Sequence, residues 1–153
     1  MERYQLTEEE SRVTGLIIGA AIGVHSYFGR GLLESTYEEC LSLDCAERNL
    51  TVRRQIAQPV FYKGLKLSTG YRTDLIVNEV VLVELKTVEK FHPVHTSQVV
   101  TYLNLTGLCV GLLLNFNTVR MKDGIKRIVL SRHRSDSDFE REVSTPRDSL
   151  DQV

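Results

Sequence analysis

An α/β fold, a mixed sheet with helices against it, follows from three observations. Apolar residues recur at helical spacing before residue 50 and at strand spacing after it. Two runs rich in Val, Ile and Leu, Tyr71 to Val77 and Val80 to Val88, form a hairpin too uniformly apolar for a sheet with a solvated face. A stretch opened by Pro93 and closed by Gly107 then puts a helix before a further apolar run, Leu108 to Phe116. The chain has 153 residues, 42% apolar and 25% charged, which fits one domain able to bury a core without disulfides or a structural metal.

The elements follow in order. Thr7-Glu8-Glu9-Glu10 reads as a capping box, with Val13, Leu16, Ile17, Ala20, Ala21 and Val24 continuing a helix to about Phe28-Gly29. A second helix is expected from Leu32 to Arg48, with Leu33, Tyr37, Leu41 and Asp44/Cys45 on one stripe and Asn49 as its stop. Thr51 to Tyr62 reads as one or two extended pieces interrupted by Pro59, and Lys63-Gly64 as a turn before Leu65 to Leu67. The two apolar runs of the hairpin come next, then the Pro93 helix to about Thr106. Leu108 to Phe116 and Ile125 to Leu130 supply the last strands. The order is therefore α-α-β-β-β-α-β-β. Residues 1–130 are expected to form one domain. The rest, 131–153, has few apolar residues and reads as a flexible tail, with a short helix near Phe139 to Val143.

Some classes are excluded. The amino terminus is acidic and lacks a signal-peptide pattern, and Gly15 to Val24 is only about half a bilayer span. No membrane segment is expected, and the location is read as cytoplasmic. Cys40, Cys45 and Cys109 lack a Cys-x-x-Cys pair and read as reduced core thiols.

The anomaly is in the hairpin. Glu84 and Lys86 interrupt VVLVELKTV and, at i and i+2 of a strand, point the same way about 7 Å apart. Alone, such a pair is an ordinary solvated edge feature. Asp74 changes that, because it joins Glu84's face if Val77 lies opposite Val81. Asn78-Glu79 is not the Asn-Gly signature of a tight two-residue turn, so a three- or five-residue connection is expected. Leu75, Val77, Val81, Val83 and Leu85 then make an apolar opposite face. Two close carboxylates on a partly buried surface repel, and a hard divalent ion such as Mg²⁺ removes the conflict. With Lys86 beside the ion, the set suits metal-assisted phosphodiester hydrolysis.

Asp74 followed by Glu84-Leu85-Lys86 resembles the PD-(D/E)XK nuclease signature, with Thr73 where the superfamily name places proline. Gly31-Leu32-Leu33-Glu34-Ser35-Thr36-Tyr37 resembles the Gly-x-x-Glu-x-x-Tyr element of the GxxExxY protein family. The likeness runs from about Glu8 to Leu130 and includes YRTDL, VELK, the PVH…Q…YL helix and GLLLNFN. It implies an αβββαβ nuclease core in a cytoplasmic, bacterial, Mg²⁺- or Mn²⁺-dependent nuclease. DNA is the expected substrate and RNA the second choice. Asp74, Glu84, the Leu85 carbonyl and Glu34 would be metal ligands and Lys86 the catalytic lysine. Gln98 and Tyr102, at i and i+4, resemble the Gln-x-x-x-Tyr helix of RecB-like nucleases. With His95 one turn earlier and Arg72 on the strand, they would meet substrate. Glu38 and Glu39 read as solvated helix residues. The competing reading is a nuclease-fold subunit without turnover that binds nucleic acid or a protein partner, and a homodimer is left open.

The net charge of -1 averages unlike parts. Residues 1–50 carry -5, residues 51–130 carry +6 and the remainder -2. Arg53, Arg54, Lys63, Lys66, Arg72, Lys90, Arg120, Lys122, Lys126 and Arg127 are expected to be available to a phosphate backbone.

Overall fold

A computed structural model describes residues 4–131. The tail read as flexible, its short helix included, lies outside the described residues. Helix α1 (Glu8–Phe28) opens on the expected capping box: Glu10 N–H donates to Thr7 Oγ1, and Thr7 N–H donates to Glu10 Oε1. Helix α2 (Glu34–Glu47) ends in a Schellman arrangement. Asn49, at φ 61, takes the left-handed position, with Asn49 N–H on Ala46 O and Leu50 N–H on Cys45 O. The stripe expected on α2 holds for Tyr37, Leu41 and Cys45; Leu33 instead caps the helix from outside and is exposed.

Strand β1 (Val52–Tyr62) is one piece within the expected Thr51 to Tyr62, and strand β2 (Leu65–Val77) is longer than its sequence suggests. Pro59 shifts the register without breaking β1, because β1 is an edge strand and tolerates a missing donor. Leu65 to Leu67 and Tyr71 to Val77 are one strand. Lys63 and Gly64, both at positive φ, make the tight turn between β1 and β2. Strand β3 (Val81–Lys86), helix α3 (Pro93–Thr106), strand β4 (Val110–Asn115), a 3₁₀ turn at Met121–Gly124 and strand β5 (Ile125–Val129) complete the fold. The sheet order is β1-β2-β3-β4-β5, antiparallel except for the β3–β4 pair. This is the expected α/β architecture, a mixed sheet flanked by helices.

Both faces of the central strands are covered. Leu75, Val77, Val81, Val83, Leu85, Val110, Leu112 and Leu114 pack against α1 and α2. Leu82, Leu113 and Ile128 pack against Val99, Tyr102 and Leu103 of α3. Gly111 lets α3 approach: a Cβ there would lie 2.6 Å from Val99 Cγ1. Among the described residues no helix is long and apolar enough to cross a membrane, and the three cysteines are free, with Cys45 buried.

Candidate functional site

The hairpin register decides which side chains meet. Val77 lies opposite Val81, Ile76 opposite Leu82 and Leu75 opposite Val83, which carries Asp74 opposite Glu84. Asn78 and Glu79, both at positive φ, form the turn closed by Val80 N–H on Val77 O. One extra residue, Val80, then shifts the pairing to Val81, so the connection has three residues. Asp74 N–H donates to Glu84 Oε1 at 3.0 Å, and Leu85 N–H donates to Asp74 Oδ2 at 2.9 Å. Burial and the neighbouring Asp74 charge push the Glu84 carboxyl up to about 8.

Lys86 ends β3 on the same face as Glu84. Its exit is fixed from β4: Phe116 N–H donates to Lys86 O, while buried Asn115 accepts from Val88 N–H and donates to Val88 O. Nothing but the GLLLNFN string marked Asn115 in the sequence, since a buried asparagine in an apolar strand has no spacing signature.

Glu34 comes to the same end of β3 from α2. Gly29 and Gly31, at φ 66 and 106, shape the connection from α1, and a side chain would be strained at either. Tyr37 is buried one turn into α2. Its hydroxyl donates to Gly29 O and accepts from Leu32 N–H, and its ring stacks on Phe116 at 4.5 Å. Gly31 and Tyr37 thus hold the loop that starts the helix, and Glu34 is the helix's first residue. Partial burial and the Asp74 charge raise the Glu34 carboxyl, while Lys86 and the Thr87 N–H act to lower it.

From α3, Tyr102 faces the carboxylates. Burial, then Glu84 and Asp74, raise its phenol. Its ring meets Tyr71 edge-on at 5.7 Å. His95 Nδ1 accepts from His92 N–H at 3.1 Å, so the proton of the neutral ring sits on Nε2. Desolvation, Lys86 and His92 lower its pKa. Gln98 lies between them on the same helix face, with Oε1 buried and without a hydrogen-bond partner among the described residues. Arg72 is exposed two residues before Asp74, and among the described residues no ion pair ties it to the carboxylates. An open groove of about 750 Å³ along α3, lined by Phe91, Thr96, Val100 and Lys126 among others, touches none of these carboxylates.

Two expectations need correction. Glu38 is not solvated: it is 4% exposed, accepts from Arg54 Nη2 at 3.1 Å and from Gln55 Nε2 at 2.5 Å. Gln55 Nε2 also reaches Asp74 Oδ1 at 3.3 Å, from a backbone at φ 50. The cause is β1, which runs beside α2 and covers Glu38. No sequence period reveals such a lateral contact. Nor are all ten cations free: Arg53 pairs with Glu79, Arg54 with Glu38 and Arg120 with Asp123.

Among the described residues no three His, Cys, Asp or Glu side chains gather tightly enough to hold a metal ion. The donors present still fit a hard divalent cation. Asp74 and Glu84 offer a facing pair of carboxylates, and Mg²⁺ commonly takes one or two, leaving its other positions to water. A cation would also offset the burial and the Asp74 charge that raise the Glu84 carboxyl.

A family model described as the PD-(D/E)XK nuclease superfamily matches residues 11–128. No curated protein and no solved structure matches the chain.

Proposed function

The chain belongs to the PD-(D/E)XK nuclease superfamily, and from that premise we propose a Mg²⁺- or Mn²⁺-dependent nuclease that hydrolyses phosphodiesters of DNA. The observation that carries the reading is the β2–β3 register, which sets Asp74 opposite Glu84 with Lys86 two residues on. Asp74, Glu84, the Leu85 carbonyl and Glu34 would hold the ion. When bound, it supplies Lewis acidity and neutralises charge at the attacked phosphorus. Lys86 orients the attacking water and stabilises the developing negative charge. His95 presents Nε2–H to a phosphate oxygen. Gln98 Oε1 accepts a hydrogen bond from water or from Lys86, and Tyr102 walls the carboxylates from solvent. Arg72 meets the phosphate next along the strand.

The finer membership proposed is the GxxExxY family, supported by the division of labour among Gly31, Glu34 and Tyr37. A cytoplasmic, bacterial setting goes with it. The second reading is a subunit without turnover that binds nucleic acid or a protein partner. One observation favours it: Asp74 Oδ2 and Glu84 Oε1 both already accept backbone N–H groups.

Linear, nicked and single-stranded DNA and RNA, each incubated with the protein in Mg²⁺, Mn²⁺ or EDTA, separate the two. Metal-dependent, EDTA-sensitive cutting with DNA preferred supports the nuclease. Salt-sensitive binding with no cutting in either metal supports the second reading.

A further inference from the structure

Strand β3 pairs only with Leu75–Val77 of β2, so the outer part of the β1–β2 hairpin has no third strand. From Pro59 to Arg72 no residue is buried, and Phe61, Tyr62, Leu65, Leu67 and Tyr71 are exposed apolar or aromatic side chains. A two-stranded ribbon is marginal in water by itself, and exposed aromatics along it need a partner. The charge identifies which kind. Between Ile56 and Thr73 there is no Asp or Glu, but there are Lys63, Lys66 and Arg72. None of the three is in an ion pair among the described residues. The ribbon also leads into the site: Tyr71 packs edge-on against Tyr102, and Arg72 is two residues from Asp74.

We propose that this ribbon is a docking arm for an unpaired polynucleotide strand, which it feeds toward Asp74 and Glu84. Phe61 is paired with Lys66 and shares its face of the ribbon with Arg72 and, further along β2, Asp74, while Tyr62, Leu65 and Tyr71 lie on the other face. On the first face Lys66 and Arg72 follow the phosphates, and Phe61 stacks on a base. Cations interleaved with aromatics are what a single strand requires, since its base faces are open. A paired duplex hides those faces. The inference rests on the nuclease reading for its direction toward the site, though not for the binding itself.

The test is fluorescence anisotropy in EDTA with the full chain, using labelled oligothymidine and its duplex with oligoadenosine. The single strand should bind more tightly. Lys66→Gln with Arg72→Gln should flatten the salt dependence by about 0.7 in slope for each lost phosphate contact. Phe61→Ala should weaken binding about tenfold and leave the slope unchanged. These residues lie outside both cores, so unchanged urea midpoints verify that the variants fold. Tighter binding to duplex, wild-type affinity in both variants, or a ribbon-dependent dimer indifferent to oligonucleotide would each overturn the proposal. Ribbon-dependent binding by a wild-type protein that cuts nothing would sink the nuclease reading and leave the arm standing. Cutting by wild type and ribbon variants alike, at equal affinity, would do the reverse.

Discussion

Gln55 lies across from Asp74, and its Nε2 spans Asp74 Oδ1 at 3.3 Å and Glu38 Oε1 at 2.5 Å. It does so from a left-handed backbone, φ 50, that costs a non-glycine residue about 1–2 kcal/mol. Gln55→Gly removes that strain together with the bridge. Stability should stay within about 1 kcal/mol of wild type, because glycine's extra chain entropy offsets the relief. Cleavage should nevertheless fall, as Asp74 loses a support. Urea unfolding beside a cleavage assay checks this. A variant that loses activity and stability in proportion would make Gln55 merely structural.

Glu84 makes the metal-free protein sensitive to alkali. Its folded pKa, about 8, lies above the unfolded carboxyl value. Below the unfolded pKa both states are protonated and the contribution is fully present. Between the two values the folded state keeps a proton that the unfolded state has lost, so stability falls as pH rises, by at most about 1.4 kcal/mol per pH unit. In EDTA, the urea midpoint should therefore drop from pH 5 to pH 8. Glu84→Gln should remove most of that drop, and Mg²⁺ should suppress it in the wild type.

The connection before α2 gives a third test. Tyr37→Phe deletes the hydroxyl that serves Gly29 O and Leu32 N–H, both part-buried contacts, a loss of about 0.5–1.5 kcal/mol for each hydrogen bond. Gly31→Ala, at φ 106, should cost about 1–2 kcal/mol. Both should lower cleavage at temperatures where the protein remains folded, because they release the loop that starts Glu34's helix. Thermal melts and rates measured on one preparation distinguish that from simple unfolding.

These residues also mark how far the sequence reaches. Thr7 with Glu10, Pro93 with Gly107, and the even register of the hairpin are local patterns, legible because caps and alternation repeat within a few residues. That is enough to bring Asp74, Glu84 and Lys86 onto one face. Glu38, Gln55 and Asn115 are different. Each acts through a neighbour 16 or more positions away, and Gln55 has a backbone conformation its residue type rarely adopts. The length of the β1–β2 ribbon was equally hidden, since Pro59 reads as an interruption and Leu65 to Leu67 as a piece apart from Tyr71 to Val77, whereas Pro59 pairs with Gly70 in one ladder.

Gly111 is a fourth case, tested by stability. Ala there would press on Val99 and Leu103, which hold α3 on the sheet, at about 1–3 kcal/mol for the overpacking. Moving α3 also moves Gln98 and Tyr102, so the weakened protein should cut more slowly even when folded. Val99→Ala in the same chain should restore part of both. Failure of that rescue would mean that the Gly111–Val99 contact does not set the position of α3.

The central claim is tested most directly by single-turnover cleavage of DNA by wild type and Lys86→Ala, purified in parallel and saturated with Mg²⁺. The account predicts a rate at least about a hundredfold lower for the variant, the scale on which one charge-stabilising group matters. Substrate affinity in EDTA should be nearly unchanged. Cleavage by Lys86→Ala at the wild-type rate would contradict it.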